Sequence, residues 1–395
     1  MGGTQVLVMQ RDTVSAILNK IIKVCKAKDN DPNLRRLVLI EPRDDGKVNI
    51  FATNEISSFL FTDVDGAIDL EGELAGPVSF AVGLDKLTKF ASSTTDESLK
   101  FRLCTTEDKL TIRSGSASLD IGYFNGVGEG GYFELYGDSN PTVVDSDVSE
   151  YTKVEDISGL CGLLKSMLIC TDSSAPHLSG IYTDGNGKFM STILTAALEV
   201  DSPTNAWDFE CIIPSDFVSM LDSLPEDAEA YIRLSEGKLF IRDKVGSVVI
   251  STFTKEVSKF PASALLKAFD DADTGDKMVN MNSSELRQVI SRMKSLFGDE
   301  LVFTMKFTPN KVKITVLGEG NDRGGDVISY SVLDGSEPVV DFSFQMHRSV
   351  LAILCAIQDG NIVLRMGKET GRFITTNDSG IRAVFSTFKK QARKA

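Results

Sequence analysis

Residues 98 to 121, SLKFRLCTTEDKLTIRSGSASLDI, return twice in degraded form, as AEAYIRLSEGKLFIRDKVGSVVIS at 228 to 251 and GNIVLRMGKETGRFITTNDSGIRAVFS at 360 to 386. Each copy opens on an alternating apolar run: Leu99, Phe101 and Leu103; Tyr231, Ile232 and Leu234; Ile362, Leu364 and Met366. A polar, Gly-containing turn and a second alternating run follow, which is the pattern of two or three short strands with one buried face. Such a repeat constrains the chain before any local reading does, because each copy implies one similar structural unit. Three domains are expected, at 1–138, 150–270 and 276–395.

The segments between the copies keep one order. A strand at 5 to 10 leads into a helix over 11–28, where Val14, Ile17, Leu18, Ile21, Ile22 and Cys25 form a stripe of helical period and Asp12 or Thr13 can cap it. Three strands, a short helix in LDKLTKFASS and the first copy complete the round. The second round has helices in 155–168 and 215–224, and the third in 282–297 and 347–357. The residues before the short helices, Gly83, Pro214 and His347, are separated by 131 and 133 positions. The polar stretches 136–150 and 269–277 read as joints between rounds. The expected class is therefore α+β, each domain being two βαβββ halves with both helices on one face of antiparallel sheet.

The bulk numbers suit a folded chain of several domains: 395 residues, 42% hydrophobic and 25% charged. No apolar run reaches the ~20 residues that span a bilayer, and MGGTQVLVMQRD lacks the features of a signal peptide, so a cytoplasmic protein is expected. Six cysteines stand singly among apolar neighbours without a CxxC pair, as reduced core thiols would. His177 and His347 are the only imidazoles, too few for a His-built zinc site or triad. GVGEGG at 126–131 opens no helix and GEGNDRGGD at 318–326 carries no Gly-Lys-Ser/Thr, so both read as turns or excursions. No GxSxG elbow frames a serine, and the paired acids sit in turns and joints. The expectation is a protein without catalytic residues, metal or cofactor.

The net charge is −14, which taken alone opposes binding to a polyanion. The six expected helices nevertheless carry a net positive charge, and the excess of acid lies elsewhere. Helices gathered on one side would give a mildly basic face that attracts a polyanion and an acidic remainder that repels it. On charge alone, solvated helix faces are the commoner explanation. No helix-turn-helix, zinc finger or aromatic RNA motif offers sequence readout, so any such contact would be to the backbone.

Three tandem units of this size, each with two helices and a repeated strand set, resemble the bacterial replicative DNA polymerase sliding clamp, the beta subunit. The resemblance spans essentially the whole chain and is carried by LVMQRDTVSAILNKIIKV with DPNLRRLVL, by KLTIRSGSASLDI, by LSGIYTDG and by SKFPASALL. Their divergence suggests a distant branch, with phage origin one reading. The resemblance implies a homodimeric ring, closed head to tail and lined by the helices around duplex DNA. It also implies a separate ATP-driven clamp loader, and tethering of the replicative polymerase and other proteins through short peptides. On that basis the DNA-facing candidates are Arg11, Lys20, Lys23, Lys26, Lys28, Lys86, Lys89, Arg287, Arg292, Lys294 and Arg348.

Carried over in the same way, the partner-peptide pocket comprises Leu178, Ile193, Leu198, Pro261, Leu266, Val384 and Ser386. The family's Gly-His-Arg-Leu run stands here as Thr195, Ala196, Ala197 and Leu198, and the chain continues past its last strand as FKKQARKA. An altered peptide preference follows, and for Ile193 and Leu266 ordinary core packing competes. Ring closure would join Leu119 and Ile121 of one chain to Leu296 and Phe297 of another, with burial inside one chain as the alternative. A reading of a different class is a tandem-repeat interaction scaffold or phage structural protein that encircles nothing.

Overall fold

The structure is a computed structural model that describes residues 3–23, 25, 37–105, 109–126, 148–204, 207–225, 227–298, 301–317, 322–333, 335–336, 342–358, 360–367 and 371–387. Two compact units emerge, Met1–Cys161 with Pro214–Thr254 and Gly162–Ile213 with Lys255–Ala395. The middle third of the sequence contributes strands to both.

The first unit is built on a sheet of thirteen strands. Its strands are β1 (Gly3–Gln10), β2 (Leu37–Pro42), β3 (Lys47–Thr53), β4 (Ser57–Gly72), β5 (Phe80–Gly83), β6 (Ser98–Cys104), β7 (Lys109–Ser114), β8 (Ala117–Ile121), β9 (Phe124–Asn125) and β10 (Thr152–Val154), joined by β15 (Ala230–Ser235), β16 (Lys238–Asp243) and β17 (Val248–Phe253). The principal path runs β10-β15-β16-β17-β4-β1-β6-β7-β8. Strand β4 serves two neighbourhoods: its first half pairs with β3 and β17 and its second half with β1. Between the halves the register with β3 slips by one residue, and Asp63 adopts φ 57°, as a bulge that redirects a strand requires.

The second unit carries twelve strands in the order β14-β11-β12-β13-β25-β24-β23-β18-β21-β20-β19-β22. They are β11 (Gly180–Asp184), β12 (Lys188–Thr192), β13 (Ala196–Asp201), β14 (Glu210–Pro214), β18 (Lys277–Asn282), β19 (Val302–Thr308), β20 (Lys311–Leu317), β21 (Arg323–Val332), β22 (Phe342–His347), β23 (Asn361–Met366), β24 (Arg372–Thr376) and β25 (Arg382–Ser386). All three copies of the repeat thus fold as three-stranded meanders: β6-β7-β8, β15-β16-β17 and β23-β24-β25. The β15–β16 turn needs left-handed backbone at two successive residues, Glu236 at φ 50° and Gly237 at φ 73°, which matches the twist of the flanking strands.

Seven α-helices are described: α1 (Arg11–Ile21), α2 (Leu84–Ser93), α3 (Ile157–Met167), α4 (Ser215–Met220), α5 (Ala262–Asp273), α6 (Ser283–Phe297) and α7 (Arg348–Ile357). Six fall where the periodicity put them, and the class is α+β as expected. In α1 the stripe Val14, Ile17, Leu18 and Ile21 is buried, and the helix ends at Ile21, short of the expected 28. The fully described α6 is capped by Asn282, whose side chain accepts from the amides of Ser284 (2.9 Å) and Glu285 (3.1 Å). Helices α1 and α2 pack together over β1, β5 and β6, and α6 and α7 over β18, β21 and β22.

Two further expectations change. The acidic stretch 269–277 is not a joint throughout, because Phe269–Asp273 complete α5, whose apolar face outweighs its carboxylates in deciding the conformation. Arg323–Asp326, read as part of an excursion, belong to β21. Residues 127–131 of the GVGEGG turn, most of the 136–150 joint and the FKKQARKA tail lie outside the described residues.

Phe101 is 1% exposed and meets Phe80 at 6.1 Å between ring centroids. Phe101→Ala is expected to destabilise the protein by about 3–5 kcal/mol in denaturant unfolding. Leu70→Ala, at a half-exposed strand position, should stay within about 0.5 kcal/mol.

Candidate nucleic-acid and partner surfaces

The cations expected to face DNA divide by what they touch. Arg11 donates through Nη1 to the Thr94 carbonyl (2.8 Å) and pairs with Asp12 (2.6 Å), which ties the start of α1 to the end of α2. The Lys20 Nζ donates to the Ser223 carbonyl (2.9 Å), at the end of the turn that finishes α4. Burial, and then the neighbouring Lys23 ammonium, hold the Lys20 pKa below its ordinary value. Arg287 reaches from α6 to the end of α7, its Nε donating to the Cys355 carbonyl (3.0 Å) and its Nη2 to those of Cys355 and Gln358. There it satisfies carbonyls that a helix leaves without partners. Arg292 pairs with Asp326 of β21 at 2.5 Å. Lys23 is exposed in the turn after α1, Lys86 and Lys89 on α2 and Lys294 on α6, and Arg348 is half-buried at the start of α7. Lys26 and Lys28 lie outside the described residues.

The residues expected to receive a partner peptide separate onto two faces of one sheet. Ala197 pairs with Val384 and Leu198 with Ala383, so the two members of each neighbouring pair point oppositely. Leu178, Tyr182, Met190, Ala197, Ile212, Ile374 and Val384 share a buried cluster with Phe260, Leu265, Ala268, Phe269 and Ala272. Leu198 is fully buried on the other face, with the side chains that neighbour α7. Ala197 therefore faces this cluster and Leu198 faces away from it, since neighbours along a strand point oppositely. The same holds in α5: Leu265 enters the cluster and Leu266 is 37% exposed. Pro261 is half-buried at the residue before α5, and Ile193 half-buried in the β12–β13 turn beside the exposed Leu194. Ser386, half-buried, donates its amide to the Thr195 carbonyl (2.9 Å).

The repeat also gives each third strand a place. Strand β17 ends the second copy and pairs with β4; β25 ends the third and pairs with β13. Strand β8 ends the first copy and, among the described residues, pairs with β7 alone. Conversely β21, which corresponds to β4 and β13, is bonded along Arg323–Ser329 to β20 on one side, and meets β18 only at Tyr330–Val332. Among the described residues, one strand seat is thus open at each end of the repeat. Ile121 is buried and Leu119 half-buried on β8, while Leu296 is 66% exposed and Phe297 half-buried at the end of α6. Phe297 lies over β21 so closely that a Cβ on Gly324 would come within 2.4 Å of its ring.

Among the described residues no group of three or more His, Cys, Asp or Glu is arranged to hold a metal, and no helix is long and apolar enough to cross a membrane. Burial lifts the thiols of Cys25, Cys170, Cys211 and Cys355 to about 12, with the Asp216 carboxylate adding to the effect at Cys25. Such thiols are inert packing groups.

Because its guanidinium serves carbonyls, Arg287→Ala should lower stability by about 1–3 kcal/mol in urea unfolding. The paired variant Lys86→Ala with Lys89→Ala should leave it within about 0.5 kcal/mol.

No protein-family model matches the chain, and no curated protein matches it in sequence. Solved structures do match over nearly the full length. The DNA polymerase sliding clamp from Caulobacter crescentus is 14% identical, with 97% of this chain and 99% of that one covered at a TM-score of 0.77. The DNA polymerase III beta chain from Streptococcus pneumoniae is 14% identical, covering 98% and 100% at 0.77. The beta subunit from Thermotoga maritima is 16% identical, covering 98% and 99% at 0.76. The chain thus has the fold of the DNA polymerase III beta-subunit sliding clamps.

Proposed function

We propose that the protein is a non-enzymatic sliding clamp: two chains, each of three tandem domains at 1–138, 150–270 and 276–395, close head to tail around duplex DNA. In that role it tethers a replicative polymerase and other proteins, and it needs an ATP-driven loader because a closed ring cannot thread onto circular DNA. The observation that carries this reading is the pair of open strand seats, since they are complementary and belong to opposite ends of the repeat. A heterologous contact of this kind yields a ring when the rotation closes.

The repeat supplies the register. Starting one residue before Gly83 and His347, pairing leads Val82 to Val38, Ala52 and Phe59 in the first round, and Met346 to Phe303, Val316 and Gly324 in the third. Gly324 thus takes the place of Phe59, whose partner is Ile250. Ile250 leads through Ile241 to Ile232, as Leu119 leads through Ile112 to Phe101. Leu119 then lies opposite Gly324 of the second chain, beside Phe297, and the antiparallel neighbours are Asp120 opposite Arg323 and Ser118 opposite Gly325. Opposite charges facing across strands favour this register and oppose its slips. Asp120→Arg is expected to shift the protein from the mass of two chains to that of one in light scattering. Adding Arg323→Asp to Asp120→Arg should restore the pair, and failure of that rescue would refute the register.

Lys23, Lys26, Lys28, Lys86, Lys89 and Lys294 are the proposed phosphate contacts, with Arg287 and Lys20 held instead by carbonyls. Contacts of this kind are salt-sensitive and indifferent to sequence, which suits sliding. Loaded protein should stay on nicked circular DNA and leave once the circle is linearised. Replacing Lys23, Lys86 and Lys89 together by Glu should shorten retention on the circle by about tenfold or more. Equal retention on linear and circular DNA would favour the scaffold reading.

A further inference from the structure

We propose that the outward face of β19 to β22 is a docking surface for a partner protein, and that it takes an extended segment in which acidic and aliphatic side chains alternate. Along these strands every second residue is buried or half-buried towards the core and the others face outward. A trough of about 780 Å³ crosses the strands on that outward side. Its floor is one row of small or polar residues: Gln345 pairs with Thr304, Thr304 with Thr315, and Thr315 with Gly325. The Gln345 side-chain amide donates to the Thr304 hydroxyl oxygen (3.1 Å). A Cβ on Gly325 would come within 3.2 Å of the Thr315 methyl, so glycine keeps that end of the floor low.

The two walls differ in chemistry. On one side stand Lys306 and Lys313, both exposed and directly opposite one another on β19 and β20. On the other side Val302 and Leu317 are 42% and 66% exposed, one step past the Phe303–Val316 pair. Like charges directly opposite on neighbouring strands destabilise a sheet. Lysines commonly guard the edge of a sheet, but β19 and β20 are interior strands, each bonded on both sides. Among the described residues neither lysine has a carboxylate partner. Asp326, which borders the trough, is turned to Arg292 of α6 (2.5 Å). The lysine pair is thus unfavourable within the chain and becomes favourable when carboxylates lie against it.

Four adjacent strands span about 15 Å, the reach of four or five extended residues. Side chains of an extended segment alternate in direction, so one lying along the trough sends successive residues to opposite walls. Carboxylates then meet Lys306 and Lys313 while aliphatic side chains meet Val302 and Leu317. None of the residues lining the trough is aromatic, so it offers no ring on which the bases of a single-stranded nucleic acid would stack. Because the trough runs across the strands, a strand added beside β21 lengthens it and does not fill it. Arg323 belongs to the proposed contact with Asp120 and is not needed for this one.

The probe is a fluorescent peptide, Glu-Leu-Glu-Leu-Glu, titrated into the full-length protein. It should bind about tenfold more tightly than Gln-Leu-Gln-Leu-Gln and than the same residues reordered as Glu-Glu-Glu-Leu-Leu. Lys313→Glu sets a carboxylate opposite Lys306, so it should weaken binding about tenfold or more while raising the urea midpoint. A folding defect would lower both, and the opposite movements therefore identify the wall. Leu317→Ser should weaken binding about fivefold and leave the midpoint in place. Four results would each overturn the proposal: no binding at about 1 mM peptide, equal affinity for the reordered peptide, a lower urea midpoint for Lys313→Glu, or tighter binding of a labelled oligothymidylate than of the peptide. The trough belongs to one chain, so the titration is scored apart from the mass and DNA-retention measurements that test the clamp reading.

Discussion

A β-strand at the end of a sheet exposes a row of amides and carbonyls, and the rest of this structure follows from how that row is satisfied. The three-stranded meander occurs three times, and each time its last strand needs a neighbour. In two copies the chain supplies one, β4 for β17 and β13 for β25, and the residues along those junctions are almost wholly buried. In the first copy no described strand lies beyond β8. A repeat that ends in an open seat at both ends is satisfied by association, and two chains offering complementary seats satisfy both at once. The glycine at position 324 belongs to the same design, since its missing side chain makes room for Phe297.

Faces, as well as edges, are used unequally. In the second unit α7 packs on the side of Phe373 and Thr375, and α5 on the side of Ile374 and Val384. Helices α6 and α7 together carry more base than acid, whereas α5 has one lysine against three aspartates. The periodic residues thus sort charge by face. The acidic balance of the whole chain is compatible with a polyanion on one surface because the acids are placed elsewhere. Two cations counted towards that surface also make hydrogen bonds within the chain. Arg287 and Lys20 hold carbonyls, which net charge along a sequence does not distinguish from a free ammonium.

The fold was legible because its largest signals are periodic. Alternation located the meanders, the helical stripe located α1 and α6, and the regular spacing of Gly83, Pro214 and His347 announced the repeat. Helix α5 was missed because Asp270, Asp271 and Asp273 resemble a solvated joint until Leu265 and Phe269 are seen to need a partner surface. Which of the candidate groove residues share a face was not legible, because in a strand a step of one residue reverses the side chain. Ala197 and Leu198 are equally plausible as letters, yet they lie on opposite faces, and only the pairing with Val384 and Ala383 separates them. The open seats could not be read from composition, because they emerge only once the pairing of β8 with β7 and of β21 with β20 and β18 is known.

The central claim is that β8 of one chain fills the vacant side of β21 in another, in the register that the repeat dictates. Cysteines introduced at Ser118 and Gly325 test it most directly, since that register sets them opposite one another and the native thiols are mostly buried. Under mild oxidation the account predicts a covalent species of two chains bridged at both junctions and nothing larger. Unlinked chains, or a ladder of ever longer products, would contradict it.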